Sequence, residues 1–208
     1  MVGGAPWPAG TTASSSILMK QPLGVILAGG GATRMGGGDK SLLPLGQGTI
    51  LSHVIDRLDP QVDGWVLNAN GDPTRFNLSQ AVIADSITDA GPLSGVLSGL
   101  DHATEHGHTH IITAAADTPF FPCDLVPNLM LHANNGLCLA ASPSGLQPTF
   151  GLWPVALSDD LRKALNSGLR KILHWTDSHQ AGTALFPDDD AFFNVNTPAD
   201  HSRAKAML

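Results

Sequence analysis

The chain has 208 residues, enough for one large domain, and 42% of them are hydrophobic, enough to bury a sizeable core. Only 14% are charged and the net charge is −7, with an isoelectric point near 5.6, which excludes a highly charged disordered chain and argues against a nonspecific nucleic-acid binder. No apolar run approaches the roughly 20 residues that span a bilayer, and Cys123 and Cys138 form no CxxC pair, so they read as free thiols of a reducing cytoplasm.

In chain order, residues 1–22 are rich in Gly, Pro, Ser, Thr and Ala and lack both a basic segment and an apolar core. They read as a disordered leader, not a signal peptide, ahead of a single domain spanning 23–208. The apolar run 23–28 predicts a buried parallel strand that empties into Gly29, Gly30 and Gly31. A helix follows over 49–58, with Ile50, Leu51, Val54, Ile55 and Leu58 on one face. Strands are predicted at 65–68 and 81–84. A second helix starts near Pro92, where Leu93, Val96, Leu97, Leu100 and Ala103 recur at helical spacing, and a strand at 110–116 ends at Asp117-Thr118-Pro119. The second half is less regular. Residues 123–133 read as helix, and 137–141 and 149–153 as extended. Ser158 is a candidate N-cap for the helix of Leu161 and Leu165, and Thr197-Pro198 reads as a cap and first position opening a last helix.

Strands alternating with helices imply a parallel sheet covered on both faces, whose ligands sit beyond the C-terminal strand ends. Three polar clusters fall at such ends: the glycine loop, Asn68-Ala69-Asn70, and Asp117-Thr118-Pro119. Glycines let backbone N–H groups approach an anion, and Arg34 and Lys40 add the two usual phosphate partners. The loop is not a Walker A motif, since no Gly-Lys-Ser/Thr follows. Nor is it GxGxxG, since Arg34 stands at the third glycine, so ATP hydrolysis and hydride transfer lose their main support. The bland counterpart is a solvated glycine-rich turn. His102 and His106 are four apart, a spacing that suits zinc or nickel but equally an exposed helix end.

The series Leu-Ala-Gly-Gly-x3-Arg-Met-Gly-Gly-x-Asp-Lys over 27–40 resembles the signature of the molybdenum cofactor guanylyltransferases, the MobA type of nucleotidyltransferase. Asn68-Ala69-Asn70, Gly91-Pro92-Leu93-Ser94-Gly95, Asp117-Thr118-Pro119, Gln147-Pro148-Thr149 and Asn194-Val195-Asn196-Thr197-Pro198 continue the resemblance in order, over about 23–200. The chain departs from the family pattern at Ala115-Ala116 (usually Pro-Cys), Gly71 (usually Arg) and Gln147 (usually His).

The resemblance implies an α/β fold: a three-layer αβα arrangement around a Rossmann-like, mostly parallel sheet of the nucleotide-diphospho-sugar transferase type. It also implies transfer of GMP from GTP to the terminal phosphate of molybdopterin, with or without molybdenum, releasing pyrophosphate. On that reading Leu27, Ala28, Gly29 and Gly30 line the nucleotide, and Arg34 and Lys40 contact the phosphate chain. Asp117 holds Mg²⁺ and Asn68 and Asp85 contact the nucleoside. Asn194 and Asn196, alternating on an extended segment, offer amides to substrate. Asp117, Asp85 and the two asparagines each have a turn-capping or loop-satisfying alternative. The partners implied are GTP and molybdopterin, with other cofactor-biosynthesis proteins and molybdoenzyme chaperones; a cytoplasmic monomer, with no nucleic acid or membrane, is expected. The rival readings are a related transferase acting on a sugar or polyol phosphate or using CTP, and a noncatalytic nucleotide-binding homologue.

Overall fold

The computed structural model describes residues 21–29 and 39–208; the leader through residue 20, and Gly30 and Arg34 of the glycine loop, lie outside them. The chain forms β1 (Leu23–Leu27), a short hairpin of β2 (Pro44–Leu45) and β3 (Gly48–Thr49), α1 (Ile50–Leu58), β4 (Trp65–Asn68), β5 (Val82–Ile83), α2 (Pro92–Glu105) and β6 (His110–Ala115). Then come α3 (Leu125–Leu131), β7 (Cys138–Ser142), β8 (Gly145–Pro154), α4 (Ser158–Asn166), α5 (Ile172–Ser178), β9 (Gly182–Leu185) and α6 (Pro198–Ala206).

Seven strands make one sheet in the order β5-β4-β1-β6-β8-β7-β9. β1 pairs in parallel with β4 and β6, β4 with β5 and β7 with β9; β8 alone runs antiparallel to its neighbours. β1 is buried at all of its positions because both sheet faces are covered. Its side chains alternate between those faces. Ile26 lies in one core with Leu51, Val54 and Leu58 of α1 and Leu125 and Leu129 of α3. Val25 and Leu27 lie in a second core with Leu93, Val96, Leu97 and Leu100 of α2 and Leu161 and Leu165 of α4. The period of two along the strand thus sorts one sequence into two cores, giving the three layers expected.

Local signals set the helix ends. Thr49 caps α1: its hydroxyl accepts from Ser52 N (3.1 Å), and Ser52 Oγ accepts from Thr49 N (2.9 Å). Thr197 and Asp200 repeat this box at α6, with Pro198 at the first position. Ser158 is not the cap of α4; it is the first helical residue, and Leu157 holds the cap position without a side-chain bond. The β2–β3 hairpin, α5 and β9 were not among the predicted elements.

The antiparallel course of β8 matters for the site. Its N-terminal end lies at the same edge of the sheet as the C-terminal end of β6, which brings Thr149 beside Ala115 and Asp117.

Candidate functional site

Beyond the C-terminal ends of β4, β1 and β6 lies a cleft of about 460 Å³, a size within the range of small-molecule sites. It opens where the chain leaves β1 toward β4 on one side while β6 flanks β1 on the other, the topological switch point of such sheets. Leu27, Gly29, Asn68, Asn70, Asp85 and Asp117 are among its lining residues, with Asn194 at the β6 side. A recess of about 40 Å³ adjoins it, bounded by Ala28, Gly29, Asp39, Lys40 and Asp117. The strand ends are locked together: Ala28 N donates to Asn68 O (2.9 Å) and Ala116 N to Leu27 O (3.0 Å).

At the β6 side, Lys40 Nζ donates to Asp117 Oδ2 (2.5 Å) and to Asn196 Oδ1 (2.6 Å). The side chains of Lys40 and Asp117 are 24% and 19% exposed, so the pair is screened less than a surface one. Thr118 Oγ1 donates to Asp117 Oδ1 (3.2 Å) and also to Asn194 Oδ1. Val195 N donates to Asp117 O (2.8 Å), which ties the 194–196 segment to the end of β6. Residues far apart in sequence, Lys40, Asp117, Asn194 and Asn196, therefore share one cluster.

At the β4 side, Asp85 is gripped by two amides. Asn68 Nδ2 donates to its Oδ1 (3.1 Å) and Asn70 Nδ2 to its Oδ2 (2.7 Å), while Asp85 N donates to Asn70 Oδ1 (2.9 Å). Asn68 is almost fully buried and also donates to Ile83 O (3.2 Å). Gly95 of α2 makes room for it: a Cβ there would lie 2.2 Å from Asn68 Oδ1 and 2.9 Å from Leu27 Cδ2. Gly91, at φ +66°, turns the chain into α2 and lines the cleft with Pro92.

Several residues that shape the cleft were absent from the sequence-derived site: Asn70, Gly95, Thr118 and Asp39. Asp39 caps the turn of Lys40 by accepting from Ser41 N (3.2 Å) and Ser41 Oγ (2.7 Å). Asn70, Gly95 and Thr118 stand inside motifs already noted, and Asp39 directly precedes Lys40, so position in a motif was the signal available.

The donor set suits a hard divalent ion. One carboxylate, Asp117, sits among amide and hydroxyl oxygens, and magnesium takes few protein oxygens and keeps water or phosphate at the rest. The histidines lie elsewhere. His102, Glu105 and His106, at the end of α2, bring ligand atoms within 4.8 Å of one another, and the two imidazoles stack at 4.1 Å. Both cysteines are free; burial pushes the Cys138 thiol up to about 11, so it stays protonated and inert. Trp153 and Trp175 are buried packing residues. No helix among the described residues is long and apolar enough to cross a membrane.

Residues 24–181 match the model of the MobA-like NTP transferase domain. A molybdenum cofactor guanylyltransferase of Cereibacter sphaeroides is 46% identical over 187 residues, covering 89% of this chain and 96% of that protein. Among solved structures, a molybdopterin-guanine dinucleotide biosynthesis protein A from Archaeoglobus fulgidus superposes with a TM-score of 0.68 at 20% identity, covering 89% of this chain and 97% of that one. A Mycobacterium tuberculosis protein, solved as a complex with manganese, gives 0.65 at 17% identity, covering 91% and 100%. The seven-stranded, mostly parallel sheet, the cleft at its switch point and these matches agree: the chain belongs to the MobA-like NTP transferase family.

Proposed function

We propose that this chain is a molybdenum cofactor guanylyltransferase: it transfers GMP from GTP to the terminal phosphate of molybdopterin and releases pyrophosphate. The observation that carries the reading is the convergence of Lys40, Asp117 and Asn196 at one side of a cleft whose other side is the Asn68–Asp85–Asn70 network, in a chain 46% identical to a protein of that name.

In this reaction an ionised oxygen of the pterin phosphate attacks the α-phosphorus of GTP. A new P–O bond forms, the bond from that phosphorus to the oxygen bridging to the β-phosphate breaks, and pyrophosphate leaves with the electron pair. No side-chain nucleophile is required, so the protein positions groups and neutralises charge. The nucleoside lies along the β4 side, against Asn68 and Asp85. The triphosphate runs past Leu27, Ala28 and Gly29, with Gly30 and Arg34 assigned by resemblance, toward Lys40. There the ammonium exchanges its protein partners for phosphate oxygens and steadies the leaving group. Asn194 and Asn196 hold the acceptor side. Asp117 would hold Mg²⁺, its carboxylate no longer paired with Lys40. That ion, when bound, offsets the negative charge of the phosphates.

On this reading the protein works in the cytoplasm as a monomer, with other cofactor-biosynthesis proteins and chaperones of molybdoenzymes as its partners. The test is pyrophosphate release by purified protein with molybdopterin and magnesium, comparing GTP with CTP, ATP and UTP. Release with GTP at least about tenfold faster than with the others supports the assignment. Preference for CTP, or release with a sugar phosphate in place of molybdopterin, overturns it.

A further inference from the structure

The connection after β4 carries a cation that neither the cleft nor the motifs account for. Arg75 stands in a short turn, Pro73–Phe76, that Asp72 caps by accepting from Thr74 N (2.9 Å) and Thr74 Oγ1 (2.7 Å). Those bonds hold the Asp72 carboxyl below the usual carboxylate range, so it stays ionised and the turn stays capped at neutral pH. The turn presents Arg75 backward across the end of β4. Its Nη2 donates to Asn70 O (2.8 Å) and its Nη1 to Asp72 O (2.5 Å), and the guanidinium lies 4.1 Å over the ring of buried Phe76. Gly71 lies between these two carbonyls at φ +84° and turns the backbone there; a Cβ at this position would lie 3.6 Å from Arg75 Nη1. The remaining nitrogen, Nε, faces Asp39 Oδ2 at 3.5 Å.

Two of the protein partners of Arg75 have second tasks. Asn70, whose carbonyl it holds, grips Asp85 at the nucleoside side. Asp39, whose free oxygen it holds, caps the turn that aims Lys40 at Asp117 and Asn196. A guanidinium suits this task because its planar fork spreads donors over three nitrogens in fixed directions, whereas a lysine gathers its donors at one nitrogen. We infer that Arg75 is a positioning residue that clamps the nucleoside side of the cleft to the phosphate side, fixing the Asn70–Asp85 grip and the Asp39–Lys40 turn in one register for the triphosphate. The inference rests on the guanylyltransferase reading for its substrate but not for its geometry.

Two measurements test it together. In steady-state kinetics Arg75→Ala should raise the KM for the nucleotide about tenfold, the loss of roughly one charge-assisted hydrogen bond, with kcat changed less than about threefold. Arg75→Lys should recover part of the loss, because it keeps the charge toward Asp39 but cannot fork onto both carbonyls. Asp39→Asn combined with Arg75→Ala should give a KM close to that of Arg75→Ala alone, not the product of the two effects. Hydrogen exchange, which needs no turnover, should show faster exchange at the Ser41 amide in Arg75→Ala with the β1 and β6 amides unchanged. A KM within twofold of wild type, multiplicative effects, or unchanged exchange at Ser41 overturns the clamp. A wild type that prefers CTP would overturn the guanylyl assignment while the same KM shift, read with CTP, would still uphold the clamp.

Discussion

At the β4 side of the cleft a carboxylate, Asp85, is held by two amides; at the β6 side a carboxylate, Asp117, is held by a lysine and a hydroxyl. Amide partners cost less to desolvate than ions and leave a fixed, neutral-donor frame, which suits the uncharged nucleoside of the proposed function. A lysine–carboxylate pair instead holds a cation and an anion against each other, and on the proposed function phosphate and metal would take one each. The two sides should therefore fail differently: damage at the β6 side strikes turnover as well as triphosphate affinity, damage at the β4 side strikes nucleotide affinity alone.

The sharpest break in that comparison is Asp117→Ala. It removes the proposed metal ligand and leaves the Lys40 ammonium without its carboxylate, so kcat should fall roughly a thousandfold, the scale seen when one electrostatic stabiliser of a transition state is lost. Pyrophosphate release under saturating GTP checks this; a loss confined to KM would count against the division of labour. Next comes Gly95→Ala. The added Cβ would meet Asn68 Oδ1 at 2.2 Å, so Asn68 must move. Overpacking of this kind should cost about 1–3 kcal/mol in urea unfolding and weaken GTP binding with it. A variant as stable as wild type would show that Asn68 is free to shift.

Asn70→Ala tests the amide frame more gently. It deletes both bonds between Asn70 and Asp85 but leaves Asn68 in place. GTP KM should rise about three- to tenfold while kcat holds, the frame losing about 1 kcal/mol with these two bonds because Asn68 still holds Asp85. The smallest effect belongs to Arg162→Ala on α4. Its partner Asp101 is 2.6 Å away, but both are substantially exposed and lie outside the cleft. Stability should change by less than about 1 kcal/mol and both kinetic constants should stay put.

The contrast between cleft and periphery also explains what the sequence made legible. The parallel half was readable because its strands are continuous apolar runs and its helices carry regular stripes: Leu93, Val96, Leu97, Leu100 and Ala103 are all fully buried as their spacing requires. Thr49 and Thr197-Pro198 announced their helices because capping is local chemistry. β9 was illegible because it is four residues long at the sheet edge and buries only Ala184 fully. α5, at seven residues, is too short for periodicity to stand out, and its Trp175 is fixed by packing and by donating to Asp160. Within the site, Lys40 and Asp117 are 77 residues apart and Lys40 and Asn196 are 156 apart. No local pattern encodes such pairings. Their grouping in the sequence came from motif resemblance, and the sheet topology supplies the physical reason. The Asn70–Asp85 grip and the Arg75–Asp39 contact leave no local pattern in the sequence because each joins loops whose approach depends on that topology.

The most direct test of the phosphate-side account is calorimetric titration of GTP with magnesium into the wild type and into Lys40→Ala, with thermal unfolding recorded for both. The account predicts saturable binding by the wild type and binding at least about thirtyfold weaker by Lys40→Ala at an unaltered melting temperature. Equal affinity in the two proteins would contradict it, because the ammonium beside Asp117 would then have no part in holding the triphosphate.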